Sequence, residues 1–91
     1  MMRDTDEGKP RYDLIPAEML KRLAELYARG AVKYGEENYL LANTPEELKR
    51  FKASAFRHFM AWQAGEDTGE DEAIAIVWNV FAYETIRGRL K

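Results

Sequence analysis

Ninety-one residues carry 14 basic and 16 acidic side chains, a formal net charge of -2 and no cysteine. Disulfide scaffolds and thiolate metal sites are thereby excluded; the charge opposes a non-specific duplex-DNA binder, and no apolar run approaches membrane-spanning length. A chain this short buries a limited share of its surface, so a single domain over 1–91, completed by association of subunits, is expected. The polar start MMRDTDEGKP lacks the apolar region of a secretory signal, which predicts a cytoplasmic protein.

Residues 1–9 read as a mobile, charged lead-in. Pro10 and Pro16 resist regular helix across PRYDLIP, so this stretch is expected as an extended strap that packs Leu14 and Ile15 onto the domain. Met19, Leu20, Leu23, Leu26 and Tyr27 recur at helical spacing and predict a first helix from Ala17 to Arg29. Gly30 either ends it or kinks it, with one further turn available before Gly35. Thr44, Pro45 and Glu47 make a strong helix start, and the second helix is expected to run to Ala64 and stop at Gly65. Its apolar stripe reads as Leu48, Phe51, Ala55, Phe59 and Trp62, widened by Phe56 and Met60. Thr68 is expected to cap a third helix that reaches Arg87, with Asp71 in the capping-box position. AIAIVWNVFAY is apolar nearly all round, which predicts a central helix or a subunit interface. The expectation is an all-α fold, a small helical bundle of about three helices plus the N-terminal strap.

The chemistry gathers in GEDTGEDE, residues 65–72, where Glu66, Asp67, Glu70, Asp71 and Glu72 lie between two helices. Hard divalent cations want several oxygen ligands in one place; like charges near a helix N-terminus equally serve only the helix dipole. Asn79 falls inside an apolar run and needs hydrogen-bond partners, either structural ones or a ligand. Lys9, Arg11, Lys33, Arg57 and His58 offer cations for phosphate oxygens, although a lone histidine is more often structural. The loop Lys33–Tyr39 is polar, contains Gly35, and carries Tyr34, Asn38 and Tyr39, which suit a base or sugar.

In this order, GKPRYDLIP (8–16), GAVKYGEENY (30–39), RHFMAWQAGED (57–67) and the Trp78–Asn79 pair resemble the phage dATP/dGTP diphosphohydrolases (MazZ-like), part of the all-α NTP pyrophosphohydrolase (MazG-like) superfamily. The resemblance implies hydrolysis of a purine deoxynucleoside triphosphate to monophosphate and pyrophosphate. It also implies Mg²⁺ or Mn²⁺ on acidic side chains and a homodimer or homotetramer, with no nucleic-acid or membrane partner. Glu66, Asp71 and Glu72 are then the leading metal ligands, with Asp67 and Glu70 next. Glu66, Glu72 and Glu36 are the candidate catalytic carboxylates, Glu37 being an alternative to Glu36. Lys9, Arg11, Lys33, Tyr34, Asn38, Arg57, His58 and Asn79 are the candidate substrate contacts. The chain departs from the family pattern at three places: the acidic loop is shorter, Glu72 and Ala75 stand where helix 3 usually carries histidines, and Tyr39 stands where tryptophan is usual. Two other classes stay open. One is a non-enzymatic helical interaction or nucleotide-binding protein that presents its third helix to a partner. The other is a nucleic-acid module built on Lys49, Arg50, Lys52 and Arg57, which the net acidity opposes.

Overall fold

A computed structural model describes residues 8–89 as three α-helices and two short 3₁₀ turns, with no strand among them. The helices are α1 (Ala17–Tyr34), α2 (Pro45–Ala64) and α3 (Glu72–Arg89). The expected lead-in lies outside the described residues except for Gly8 and Lys9. None of the described helices is long and apolar enough to cross a membrane.

Local chemistry sets the helix ends. α1 passes through Gly30 and stops at Gly35, whose φ of 93° only glycine adopts without strain. Its amide donates back to the Ala31 carbonyl at 2.9 Å. The Thr44 hydroxyl accepts from the Glu47 amide at 3.2 Å, and the Glu47 carboxylate accepts from the Asn43 amide at 3.1 Å, so α2 opens with the expected reciprocal cap shifted one residue outward. Gly65 ends α2 in the left-handed region.

α3 starts later than expected. Gly69 takes φ 78° and breaks the run, so Asp71 replaces Thr68 as the capping residue, its Oδ1 accepting from the Ile74 amide at 3.3 Å. Thr68 instead accepts from the Glu70 amide and donates to Glu72.

α3 is the central element. Among the described residues, the four buried apolar ones, Ile74, Ala75, Ala82 and Ile86, all belong to it, and it packs against both other helices. α2 runs antiparallel to α3: Phe51 meets Trp78, Lys52 lies over Tyr83, and His58 meets Glu72. α1 runs in the same direction as α3, because Arg22 reaches Asp71 while Tyr27 reaches Trp78.

Two expectations fail at the surface. Leu14 and Ile15 are exposed, and their segment forms a 3₁₀ turn at Tyr12–Leu14 rather than an extended strap. Of the expected α2 stripe, Phe56, Phe59, Met60 and Trp62 are exposed as well. The inner face of α2 carries His58 instead, turned toward the Glu72 carboxylate.

Candidate functional site

A cleft of about 780 Å³ lies between α1 and the α2–α3 hairpin, within the roughly 300–1,000 Å³ typical of small-molecule sites. α1 contributes Arg22, Glu25, Arg29, Lys33 and Tyr34 to its lining. α2 contributes Ser54 and His58, and the acidic turn with α3 contributes Glu70, Asp71, Trp78 and Asn79.

Where the hairpin turns, three side chains converge. One donor atom from each of His58, Glu70 and Glu72 lies within 4.8 Å of the other two. His58 Nδ1 sits 2.5 Å from Glu72 Oε2 and 3.9 Å from Glu70 Oε2. A carboxylate only accepts, so the Nδ1 proton points at Glu72. Thr68 Oγ1 donates to the other Glu72 oxygen at 2.6 Å. Glu72 is buried at 8% exposure, yet its carboxyl is held below the usual range, chiefly by Thr68 and then by His58. It is therefore an anion in a poorly hydrated place, which favours a cation beside it. One imidazole and two carboxylates at this separation fit a divalent ion: the oxygens suit Mg²⁺ and Mn²⁺, and the nitrogen extends the set to other transition ions. To ligate through Nδ1, His58 must give up the proton it now shares with Glu72.

Asp71 does different work. Both its oxygens meet Arg22, at 2.7 and 2.6 Å, in a bidentate pair that bolts α1 to the start of α3. Arg22 is also the main reason its carboxyl lies below the ordinary value. Asn79 is buried and donates to the Ala75 carbonyl at 2.8 Å, one turn back, while lining the cleft. The Lys33 ammonium stands 5.1 Å from the centre of the Tyr34 ring, and both line the cleft.

The remaining expected residues lie elsewhere. Glu66, Glu36, Lys9 and Arg57 are exposed and line no cavity described here; Glu66 uses its amide to close the end of α2 on the Ala61 carbonyl. Arg11 pairs with Asp13 at 2.8 Å. Asp67 accepts from the Gly69 amide within the turn. Glu37, Asn38 and Tyr39 line a second, smaller cavity next to the cleft.

The sequence reading missed Arg22, Glu25 and Arg29. Together with Lys33 they recur at spacings of three and four along α1, the same signal that identified its apolar residues.

A family model described as dATP/dGTP diphosphohydrolase, N-terminal, matches residues 2–89, and the chain belongs to that family. No curated protein and no solved structure matches it.

Proposed function

Proceeding from that membership, we propose that the cleft binds a purine deoxynucleoside triphosphate, dGTP or dATP, and hydrolyses it to the monophosphate and pyrophosphate with the help of Mg²⁺ or Mn²⁺. The observation that carries the reading is that His58 and Glu70 of the carboxylate–imidazole cluster line the same cleft as the row of cations on α1. A triphosphate bound with a divalent ion requires both.

His58, Glu70 and Glu72 are the residues to hold the ion. Arg29 and Lys33 project from the α1 wall and offer donors to phosphate oxygens. Arg22 is already committed to Asp71 and keeps that wall in register with α3. Glu25, on the same wall, supplies a carboxylate that can take a proton from water. A divalent ion held there would offset the triphosphate charge and supply an acidified water. The exposed Phe56, Met60 and Trp62 of α2, and the half-exposed Val80 and Phe81 of α3, support a homodimer or homotetramer that covers them.

The deciding experiment incubates the protein with all common dNTPs and NTPs, with Mg²⁺ or Mn²⁺, and resolves the nucleotide and phosphate products. Monophosphate plus pyrophosphate, abolished by EDTA, is the expected result. Folded, oligomeric protein that yields no product from any nucleotide overturns the reading and leaves a nucleotide-binding or interaction protein in its place.

A further inference from the structure

Glu70 stands in a place that gives it little support of its own. It follows Gly69, which holds φ 78° and, without a Cβ, resists rotation least of all residues. Its side chain is 64% exposed, so packing does not fix it. Even so, it lies close enough to His58 and Glu72 for one ion to reach all three. The support comes from the other side, through Asp71.

Asp71 is gripped from two helices. Its Oδ1 accepts from the Ile74 amide of α3 at 3.3 Å, and its two oxygens accept from Arg22 of α1 at 2.6 and 2.7 Å. Arg22 is itself steadied, with Nη1 3.3 Å from Met19 Sδ. The Glu72 amide donates to the Glu70 carbonyl at 3.1 Å, which ties residues 70–72 together around the gripped carboxylate. Among the described residues, Arg22–Asp71 is the only ion pair that joins α1 to another element, and α1 has no buried residue of its own. The two side chains are 39% and 29% exposed, so the pair contributes modestly to stability. What a bidentate fork adds is direction.

We propose that Arg22 is a positioning residue for the divalent ion: through Asp71 it aims Glu70 and Glu72 at the ion and keeps the Asp71 carboxylate out of the ligand set. The inference rests on the metal-dependent reading above and deepens it. Three successive acids could all turn to one cation; the fork occupies both oxygens of the middle one and leaves the outer two for the ion. The clamp also sets the cationic wall against the ion, because Arg22, Arg29 and Lys33 ride on the same helix. Phosphate contacts and metal ligands are then held in one frame, as a positioned reaction requires.

Charge and geometry predict opposite outcomes when Arg22 is removed. Arg22 is a cation close to a cation site, so by Coulomb repulsion alone its loss tightens a divalent ion. Loss of a group that orients the ligands weakens the ion instead. Mn²⁺ binding to the full chain, without nucleotide, is measured by titration calorimetry in the parent, Arg22→Met and Arg22→Lys. Met suits a helix and removes the charge; Lys keeps the charge and loses the fork. Both variants should keep the helical circular-dichroism signal. Mn²⁺ should bind about tenfold more weakly to Arg22→Met, with a smaller loss in Arg22→Lys. The Mn²⁺ concentration that half-activates dGTP turnover should rise by the same factors, and saturating Mn²⁺ should return turnover toward the parent's, a rescue that a merely damaged fold would not show. If the Met variant loses its helices, the Lys variant decides alone. Parental or tighter Mn²⁺ affinity in either folded variant, by calorimetry or by activation, overturns the positioning role while the hydrolase reading stands. A parent that neither binds Mn²⁺ nor turns over any nucleotide with it overturns both.

Discussion

Glu72 is a charged side chain in a buried place, and its surroundings account for that. Hydrogen bonds from Thr68 and His58, with the N-terminus of α3 at which it sits, stabilise the anion against the cost of leaving water. The same arrangement keeps it an acceptor, ready for a cation. Glu72→Gln should retain the helical circular-dichroism signal and lose about a hundredfold or more in metal-dependent kcat/KM; parental activity in that variant removes Glu72 from the site. Acid stability follows from the same contacts. The folded-state pKa of Glu72 lies below its ordinary value of 4.5, and that of Asp71 below 3.8. The unfolded chain therefore binds more protons as pH falls past those ordinary values. Stability is fully present above about pH 4.5 and is lost on descent through the lowered folded values. Thr68→Val removes the largest cause of the Glu72 shift, so urea midpoints followed from neutral to acid pH should fall less steeply in the variant than in the parent. Parallel curves would sink that account. Residue types alone pointed to Glu72. Its pairing with His58 was not legible, because it depends on how many residues the turn spends before α3 begins.

Glycine does opposite things at two positions in and just beyond α1, and the contrast makes an element-scale test. Gly30 is inside the helix, and a Cβ there would meet nothing within 4 Å. Gly30→Ala should stabilise the fold by about 0.5–1 kcal/mol through lost unfolded-state freedom and better propensity. Gly35 holds φ 93° and ψ 150°, a region essentially closed to other residues, so Gly35→Ala should cost about 1–3 kcal/mol. Urea denaturation of both variants checks the pair, and equal effects would contradict the assigned end of α1. The same method should register a loss of about 1 kcal/mol for Thr44→Ala, which removes the cap of α2. The three helices were legible because their apolar spacing and the Thr44-Pro45 start are local signals. The stripe on α2 was misread for a non-local reason: Phe59 and Trp62 extend the apolar repeat, but the polar His58 is drawn inward by a carboxylate on another helix. The start of α3 was misread because Thr68 and Asp71 are both competent caps, and the turn at Gly69 decides between them. Arg22, Arg29 and Lys33 stand in the sequence as a periodic row, which a search for apolar spacing passes over.

At the scale of the molecule, the apolar side chains exposed on α2 make the proposed association of subunits testable. Among the described residues the buried apolar core is four side chains of one helix, while Phe56 is 66% exposed and Met60 and Trp62 are each 54% exposed. Phe56 and Met60 are four residues apart, so they share one face of α2, and that face is turned from α3. Charging it should separate subunits while leaving the interior of each intact. Phe56→Glu with Met60→Glu is therefore expected to lower the mass measured by light scattering from a multiple of 10.6 kDa toward that single value, and to lower the thermal midpoint. If the parent already runs as a single subunit at micromolar concentration, association does not cover this face. A multimer that survives both charges places the interface elsewhere, for instance at Val80 and Phe81, where α3 is half exposed on its outer side. Either result bears on the site, because α2 carries His58 on its inner face and these apolar residues on its outer one. Loss of the outer support should loosen the helix that carries His58, and the concentration dependence of turnover would report it.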